Sequence, residues 1–254
     1  MSYGDLYGVG VGPGAPDLIT IRALNVLRKA DVLAFPRSSA FGASTAWEIV
    51  KPSLGDTPGQ ERLFLTFPMS KDPERLRPAW DKAFEAIGER LEKGLDVAFA
   101  TEGDPSLYST FIYLAQEAPR RWPGVRIEVV PGVSSITAVP AVTGIPLADG
   151  QERIAIVPAT YGLEDITELL QKFDTTVLMK IGPEMPRIIE ALEREGLLDQ
   201  AVYVSRATMG EQRIVQDLRA VGTERGDCFA MVVVSRKDRS GVLAGTVPLR
   251  ECGT

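Results

Sequence analysis

"DVAFATEGDPSLYST", Asp96 to Thr110, is the stretch whose reading decides the fold. Its first half, "DVAFAT" (96–101), is a short apolar run without polar alternation, as expected of a strand buried on both faces of a sheet. Its second half breaks at Gly103-Asp104-Pro105 and then takes up a helical pattern in "LYSTFIYLAQEA" (107–118). A buried strand that turns through glycine into a helix is part of a βαβ unit, and open α/β sheets bind ligands at the carboxyl ends of such strands. The turn lacks the G-K-[ST] signature of a phosphate loop, and the carboxylates of Glu102 and Asp104 would repel a phosphate. They attract a cation, or accept hydrogen bonds from hydroxyls and amines. S-adenosylmethionine offers a sulfonium, an ammonium and a ribose, and suits such a loop. Asp104 also stands where it can cap a helix starting near Ser106, and both roles can hold together.

Outward from this stretch the same pattern recurs. "DLYGVGV" (5–11) reads as a strand that runs into the glycine-rich "GVGVGPGAPD" (8–17). A dinucleotide fingerprint fits poorly there, because Pro13 takes the place of the third glycine and the second strand, "DVLAF" (31–35), ends in Phe35-Pro36 without the expected acid. "VRIEVV" (125–130) is a strand leading into "VVPGVSSITA" (129–138), where Ser134 and Ser135 can cap the next helix or meet a ligand. Three such loops from parallel strands imply one crevice. Thr20 can cap a helix over 21–30 with Ile21, Leu24 and Leu27 on one face. "ASTAWEIVK" (43–51) is helical and "ERLFLTF" (61–67) a strand; Asp72-Pro73 opens a helix to Lys93, with Gly94 at its end and Pro78 kinking it or delaying its start.

After residue 150 strands are expected at 153–159, 175–181, 201–206, 212–217 and 228–235, with helices over 163–172 and 184–195. Strands 201–206 and 212–217 are too close for a helical crossover and should pair antiparallel, making the second sheet mixed. The expected fold is therefore α/β with two domains. These are an N-terminal parallel-sheet domain (1–136) and a C-terminal mixed-sheet domain (137–240), followed by a tail (241–254) of low order.

The chain of 254 residues contains no histidine, which excludes Ser-His-Asp, Cys-His and other imidazole chemistry. Lys and Arg number 28 against 34 Asp and Glu; this net charge of −6 argues against a nucleic-acid partner, which calls for a basic face. No apolar run approaches the roughly 18 residues of a membrane span, and "MSYGDLYGVG" has no secretory pattern, so a cytoplasmic protein without membrane contact is expected. Cys228 and Cys252 form neither a disulfide framework nor a metal spacing; a buried Cys228 and a frayed Cys252 are expected, and no metal.

Taken in order, these segments resemble the tetrapyrrole methylases, enzymes that methylate uroporphyrinogen-derived rings with S-adenosylmethionine. The resemblance spans about residues 4–236 and rests on "GVGPGAPDLITIRALNVLRKADVLAF", "TEGDPSLYSTF" and "VPGVSSITAVPAVTGIPLADG". With "VLMKIG" (177–182) and "VSRATMGEQRIV" (204–215), it is strongest to members acting on the C-20 meso carbon of precorrin-2 or cobalt-factor II. Ser106, Leu107 and Tyr108 depart from the aromatic residue and glycine usual after Gly-Asp-Pro in members acting at other positions. The alternatives are another tetrapyrrole methylase (a different ring position, or uroporphyrinogen III) and a non-catalytic binder of cofactor or tetrapyrrole.

The resemblance implies a homodimer, with S-adenosylmethionine in the cleft between the domains and S-adenosylhomocysteine as product. It carries cofactor contact onto Pro13, Glu102, Gly103, Asp104, Leu107, Ser134 and Ser135, and onto Ile181, Ala207, Ala230 and Met231. Glu102 stands where relatives often have a small residue. A ring substrate bearing carboxylates needs cations, for which Arg37, Lys180 and Arg206 stand at the ends of apolar strands. Asp104 and Tyr108 are the candidates for proton handling or substrate positioning.

Overall fold

The computed structural model describes residues 3–55, 57–70, 72–159, 166–221 and 229–237. The chain divides into two compact units, residues 1–135 and 136–254.

In the first unit β1 (Leu6–Gly10), β2 (Val32–Arg37), β3 (Glu61–Thr66), β4 (Val97–Thr101) and β5 (Ile127–Val130) form an all-parallel sheet in the order β3-β2-β4-β1-β5. Successive residues point to opposite faces, and both faces are covered. Leu6, Val32, Ala34, Val97 and Phe99 pack with α3 (Pro73–Leu91) and α4 (Phe111–Arg121). Val9, Leu33, Phe35, Ala98 and Ala100 pack with α1 (Ile21–Lys29) and α2 (Thr45–Leu54). This is why the strands read as unbroken apolar runs. In a dinucleotide fold the first two strands are neighbours; here β4 lies between β2 and β1.

Several local expectations need correction. Thr20 does cap α1, accepting from the N–H of Ala23 at 3.1 Å. Ile21, however, is 80% exposed, while Ala23 and Leu27 are fully buried. At 3.6 residues per turn, positions 21 and 27 lie about 120° apart, so they cannot share a narrow face. The buried stripe runs instead through Ala23, Leu27 and Ala30. Strand β2 does not stop at Phe35-Pro36 but continues beside β3 to Arg37. Its pairing with β4 ends at Ala34, so no β4 carbonyl needs the N–H that Pro36 lacks. Pro78 lies within α3, which starts at Pro73 with Asp72 accepting from the N–H of Glu74. The helix expected from Leu107 begins only at Phe111, because the residues before it form turns.

In the second unit β6 (Ile154–Pro158), β7 (Thr175–Met179), β8 (Ala201–Ser205), β9 (Arg213–Val215) and β10 (Ala230–Ser235) form a sheet ordered β6-β7-β10-β8-β9. β6 and β7 are parallel, β10 is antiparallel to β7 and β8, and β8 and β9 pair antiparallel. The sheet is mixed, as the short 206–212 connection required. One core joins it to α6 (Ile166–Lys172) and α7 (Met185–Arg194); α5 (Ser135–Thr143) opens the unit. The start of the helix expected from 163, Cys228, Cys252 and the tail lie outside the described residues. Among the described residues no helix is long and apolar enough to cross a membrane.

Candidate functional site

The three glycine-bearing loops of the first unit leave β4, β1 and β5, which are adjacent in the sheet. Past the strand ends the loops close on one another through backbone. Gly103 donates its N–H to the Gly12 carbonyl at 2.8 Å, and Val11 donates to the Thr101 carbonyl at 3.0 Å. A β-carbon on Gly10 would lie 2.6 Å from both the Gly103 oxygen and the Gly132 nitrogen. One on Gly132 would lie 2.8 Å from the Gly10 backbone and closer still to the Gly103 oxygen. Gly103 has φ +65°, a conformation that L side chains resist. Gly10 and Gly132 are therefore imposed by backbones in contact, and Gly103 by its left-handed conformation, reasons independent of any ligand.

Asp104 ties this junction together. One carboxylate oxygen accepts from the N–H of Ser106 at 2.8 Å, the other from the N–H of Gly132 at 3.0 Å. The expected helix cap is instead a local turn at Ser106 plus a bridge to the β5 loop. A carboxylate has about four acceptor positions, so each oxygen keeps capacity for a ligand donor. The loop is closed again at its far end. Thr101 and Ser109 share a buried hydroxyl hydrogen bond of 3.0 Å, and Ser109 accepts from the N–H of Phe111. Between these two anchors Tyr108 has φ +50°. A β4–α4 loop held at both ends presents Leu107 and Tyr108 in a fixed conformation. Sequence alone does not single out Thr101, Ser109 or Gly132; the "ST" before an apolar run is the available sign of a helix start.

Glu102 and Arg37 are also engaged within this unit. The Glu102 carboxyl lies near the backbone N–H groups of its own residue and of Ala46 in α2. Desolvation pushes its pKa above the usual carboxylate value, opposed by those two N–H groups. Arg37 donates from Nε to Thr66 Oγ1 at 3.1 Å and lies 5.6 Å from the Phe64 ring centre. Pro13 is buried; Leu107 and Ser134 are half-buried, with Ser135 the first residue of α5.

The residues singled out in the second unit meet at one edge of its sheet. Met231 pairs with Met179, Ala230 with Ser205, and the N–H of Arg206 reaches the Phe229 carbonyl. Lys180 and Ile181 follow Met179, and Arg206 and Ala207 follow Ser205. Ile181 is fully buried in the core, and Ala207, Ala230 and Met231 are also buried, so ligand contact here must use backbone or small surfaces. Lys180, Arg206 and Thr208 have φ +52°, +50° and +67°. Arg206 pairs with Glu211 at 3.0 Å. Left-handed backbone at residues with side chains costs roughly 1–2 kcal/mol each and clusters at functional sites.

Two α/β units with these sheets and loops define a known class. The chain belongs to the tetrapyrrole (corrin/porphyrin) methylases, whose family model matches residues 5–221. It is 35% identical over 236 residues to the cobalt-precorrin-2 C(20)-methyltransferase of Salmonella typhimurium, covering 92% of this chain and 97% of that one. It is also 34% identical over 252 residues to cobalamin biosynthesis protein CobIJ of Mycobacterium tuberculosis; the match covers 96% of this chain but only 48%, about half, of that relative. Uroporphyrin-III C-methyl transferase of Thermus thermophilus, solved complexed with S-adenyl homocysteine, shares the fold with a TM-score of 0.63. It is 24% identical, with 91% of this chain and 97% of that chain covered.

Proposed function

We propose that this chain is an S-adenosylmethionine-dependent C-methyltransferase acting on the C-20 meso carbon of precorrin-2 or cobalt-factor II. The observation that carries the reading is the edge of the first sheet. Its three adjacent loops, residues 10–20, 101–110 and 130–135, bear acids and hydroxyls and no Lys or Arg. That donor set fits a ligand with a sulfonium, an ammonium and ribose hydroxyls. The C-20 position is supported by the Salmonella relative, similar along almost its whole length.

When bound, S-adenosylmethionine supplies a methyl group already activated on sulfur. The chain's own task is alignment, which can lower a barrier by roughly 7–11 kcal/mol. In the first unit we assign cofactor contact to Pro13, Glu102, Gly103, Asp104, Leu107, Ser134 and Ser135. In the second we assign it to Ile181, Ala207, Ala230 and Met231. Glu102 and Ile181 act through backbone; the Ile181 side chain is buried in the core of the second unit. Arg37, Lys180 and Arg206 pair with substrate carboxylates. The meso carbon is an electron-rich nucleophile and needs no catalytic serine or cysteine. Its proton must leave after attack, and Asp104 and Tyr108 are the groups assigned to proton handling or positioning. The same reading makes the protein a cytoplasmic homodimer without nucleic-acid or membrane partners.

Calorimetry with S-adenosylhomocysteine, followed by mass spectrometry after incubation with each tetrapyrrole, tests it. Binding with a gain of one methyl is the expected result. Protein that binds the cofactor product but turns over neither ring contradicts the substrate assignment.

A further inference from the structure

Arg206, assigned above to a substrate carboxylate, already holds a carboxylate of its own chain. Its Nη1 lies 3.0 Å from Oε2 of Glu211, in the short connection between β8 and β9. That connection, "RATMGEQ" (206–212), contains one base and one acid. Backbone fixes the base without help from the acid. The Arg206 N–H donates to the Phe229 carbonyl at 3.1 Å, and its own carbonyl accepts from the N–H of Met209 at 2.9 Å. The turn closes again where Thr208 donates its N–H to Gln212 Oε1 at 2.7 Å and Gln212 donates its N–H to the Met209 carbonyl at 3.0 Å. These bonds hold Arg206 at φ +50° and Thr208 at φ +67°, conformations that L residues do not take by default. The arginine side chain therefore starts from a set position. Glu211 is the loose half of the pair: its side chain is 77% exposed, against 39% for Arg206. An exposed ion pair shifts an equilibrium by about fivefold at most, because water and side-chain freedom offset the attraction. The pair thus adds little to folding, and an incoming carboxylate can displace Glu211 at little cost.

We propose that Glu211 is a specificity-determining residue, an internal carboxylate that occupies Arg206 until a carboxylate of the ring acceptor displaces it. This rests on the function proposed above, through the assignment of Arg206 to the acceptor. In place, Glu211 competes for the same guanidinium and repels a second carboxylate of like charge. Turned into solvent, it leaves that guanidinium to the acceptor. A ring with a carboxylate at this point repays the displacement through a charge-assisted pair. A ring esterified or decarboxylated there does not, and is rejected.

The full-length protein and its Glu211→Gln and Glu211→Ala variants test this through KM and kcat for precorrin-2 or cobalt-factor II, with the Kd of S-adenosylhomocysteine by calorimetry beside them. At low salt KM should fall about two- to fivefold in both variants. The difference should vanish near 1 M salt, where charges are screened beyond about 3 Å. The kcat and the cofactor-product Kd should not move. In an Arg206→Gln background, Glu211→Gln should leave KM where Arg206→Gln alone puts it, because the pair is already gone. Should Arg206→Gln not fold, Arg206→Gly, which relieves the left-handed backbone, takes its place as background. A KM that rises in Glu211→Gln makes the acid an orienting partner of Arg206 and overturns the displacement. An unchanged KM at low salt overturns it too. A fall of equal size with and without Arg206 assigns the effect to overall charge and likewise overturns it. A parent protein that turns over neither ring defeats the proposed function and the role of Glu211 with it; turnover with a KM that Glu211 does not affect defeats that role alone.

Discussion

The two sheet edges differ in how they handle crowded and left-handed backbone. In the first unit Gly10 and Gly132 stand where backbones touch and a side chain is excluded, and Gly103 takes the left-handed region, although Tyr108 in the same loop does so with its side chain. In the second, Lys180, Arg206 and Thr208 adopt left-handed conformations while keeping side chains that glycine would spare. Glycine at the first edge is explained by packing at Gly10 and Gly132 and by backbone conformation at Gly103. Lys180 and Arg206 at the second are not the residues that backbone conformation would choose, which is a stronger sign that their side chains are needed.

Substitutions can break this comparison, beginning with the most severe. Gly132→Ala drives a methyl group into the Gly103 carbonyl and the Gly10 backbone, neither of which can yield as a flexible side chain would. It should cost about 3 kcal/mol or more, or prevent folding, as thermal or denaturant unfolding will show. A loss below about 1 kcal/mol would mean that the junction is looser than described. Asp104→Ala removes the acceptor for the Ser106 and Gly132 N–H groups. It should weaken S-adenosylhomocysteine binding about tenfold or more, near 1.4 kcal/mol, by calorimetry. Tyr108→Phe should weaken it by much less; the reverse order would mean that the two halves of the loop have been assigned the wrong way round.

The second edge is probed in the opposite direction. Lys180→Gly and Arg206→Gly relieve left-handed strain but add unfolded-state freedom, so stability should change by only about 1 kcal/mol or less in denaturant melts. The KM for the tetrapyrrole should still rise markedly. A loss of stability much beyond 1 kcal/mol would make these side chains structural. The smallest expected effect is a pH dependence at Glu102. Its carboxyl pKa is raised in the fold, so its titration favours folding most below the unfolded value of about 4.5. That contribution is lost as pH rises through the folded value. The stability of the parent relative to Glu102→Gln should therefore fall as pH is raised from about 4.5, measured by denaturant midpoints across pH. A rising difference would give the shift the opposite sign.

Much of the fold was legible because its strands are buried on both faces. Runs such as "DVAFAT" and "VVVS" announce themselves without structure, and the three glycine turns gave away the carboxyl edge. The antiparallel β8–β9 pair followed from a connection too short for a helix. Pairwise geometry was not legible. Composition says nothing of a Gly132 N–H that meets Asp104, nor of a buried hydroxyl pair between Thr101 and Ser109. The late start of α4 depends on Tyr108 taking a left-handed conformation, which tyrosine propensity opposes. The sequence misleads on the face of α1 because alanines, weak hydrophobic signals, line the buried side while the bulky Ile21 is exposed.

The central claim is methyl transfer to one ring position, and a single-turnover reaction tests it most directly. The protein would be mixed with S-adenosylmethionine carrying a 13C-labelled methyl group and, in parallel, with precorrin-2 and with cobalt-factor II. The account predicts one labelled methyl per ring, located at C-20 by NMR, from at least one of the two substrates. Label at another carbon, or bound cofactor with no transfer to either ring, would contradict it.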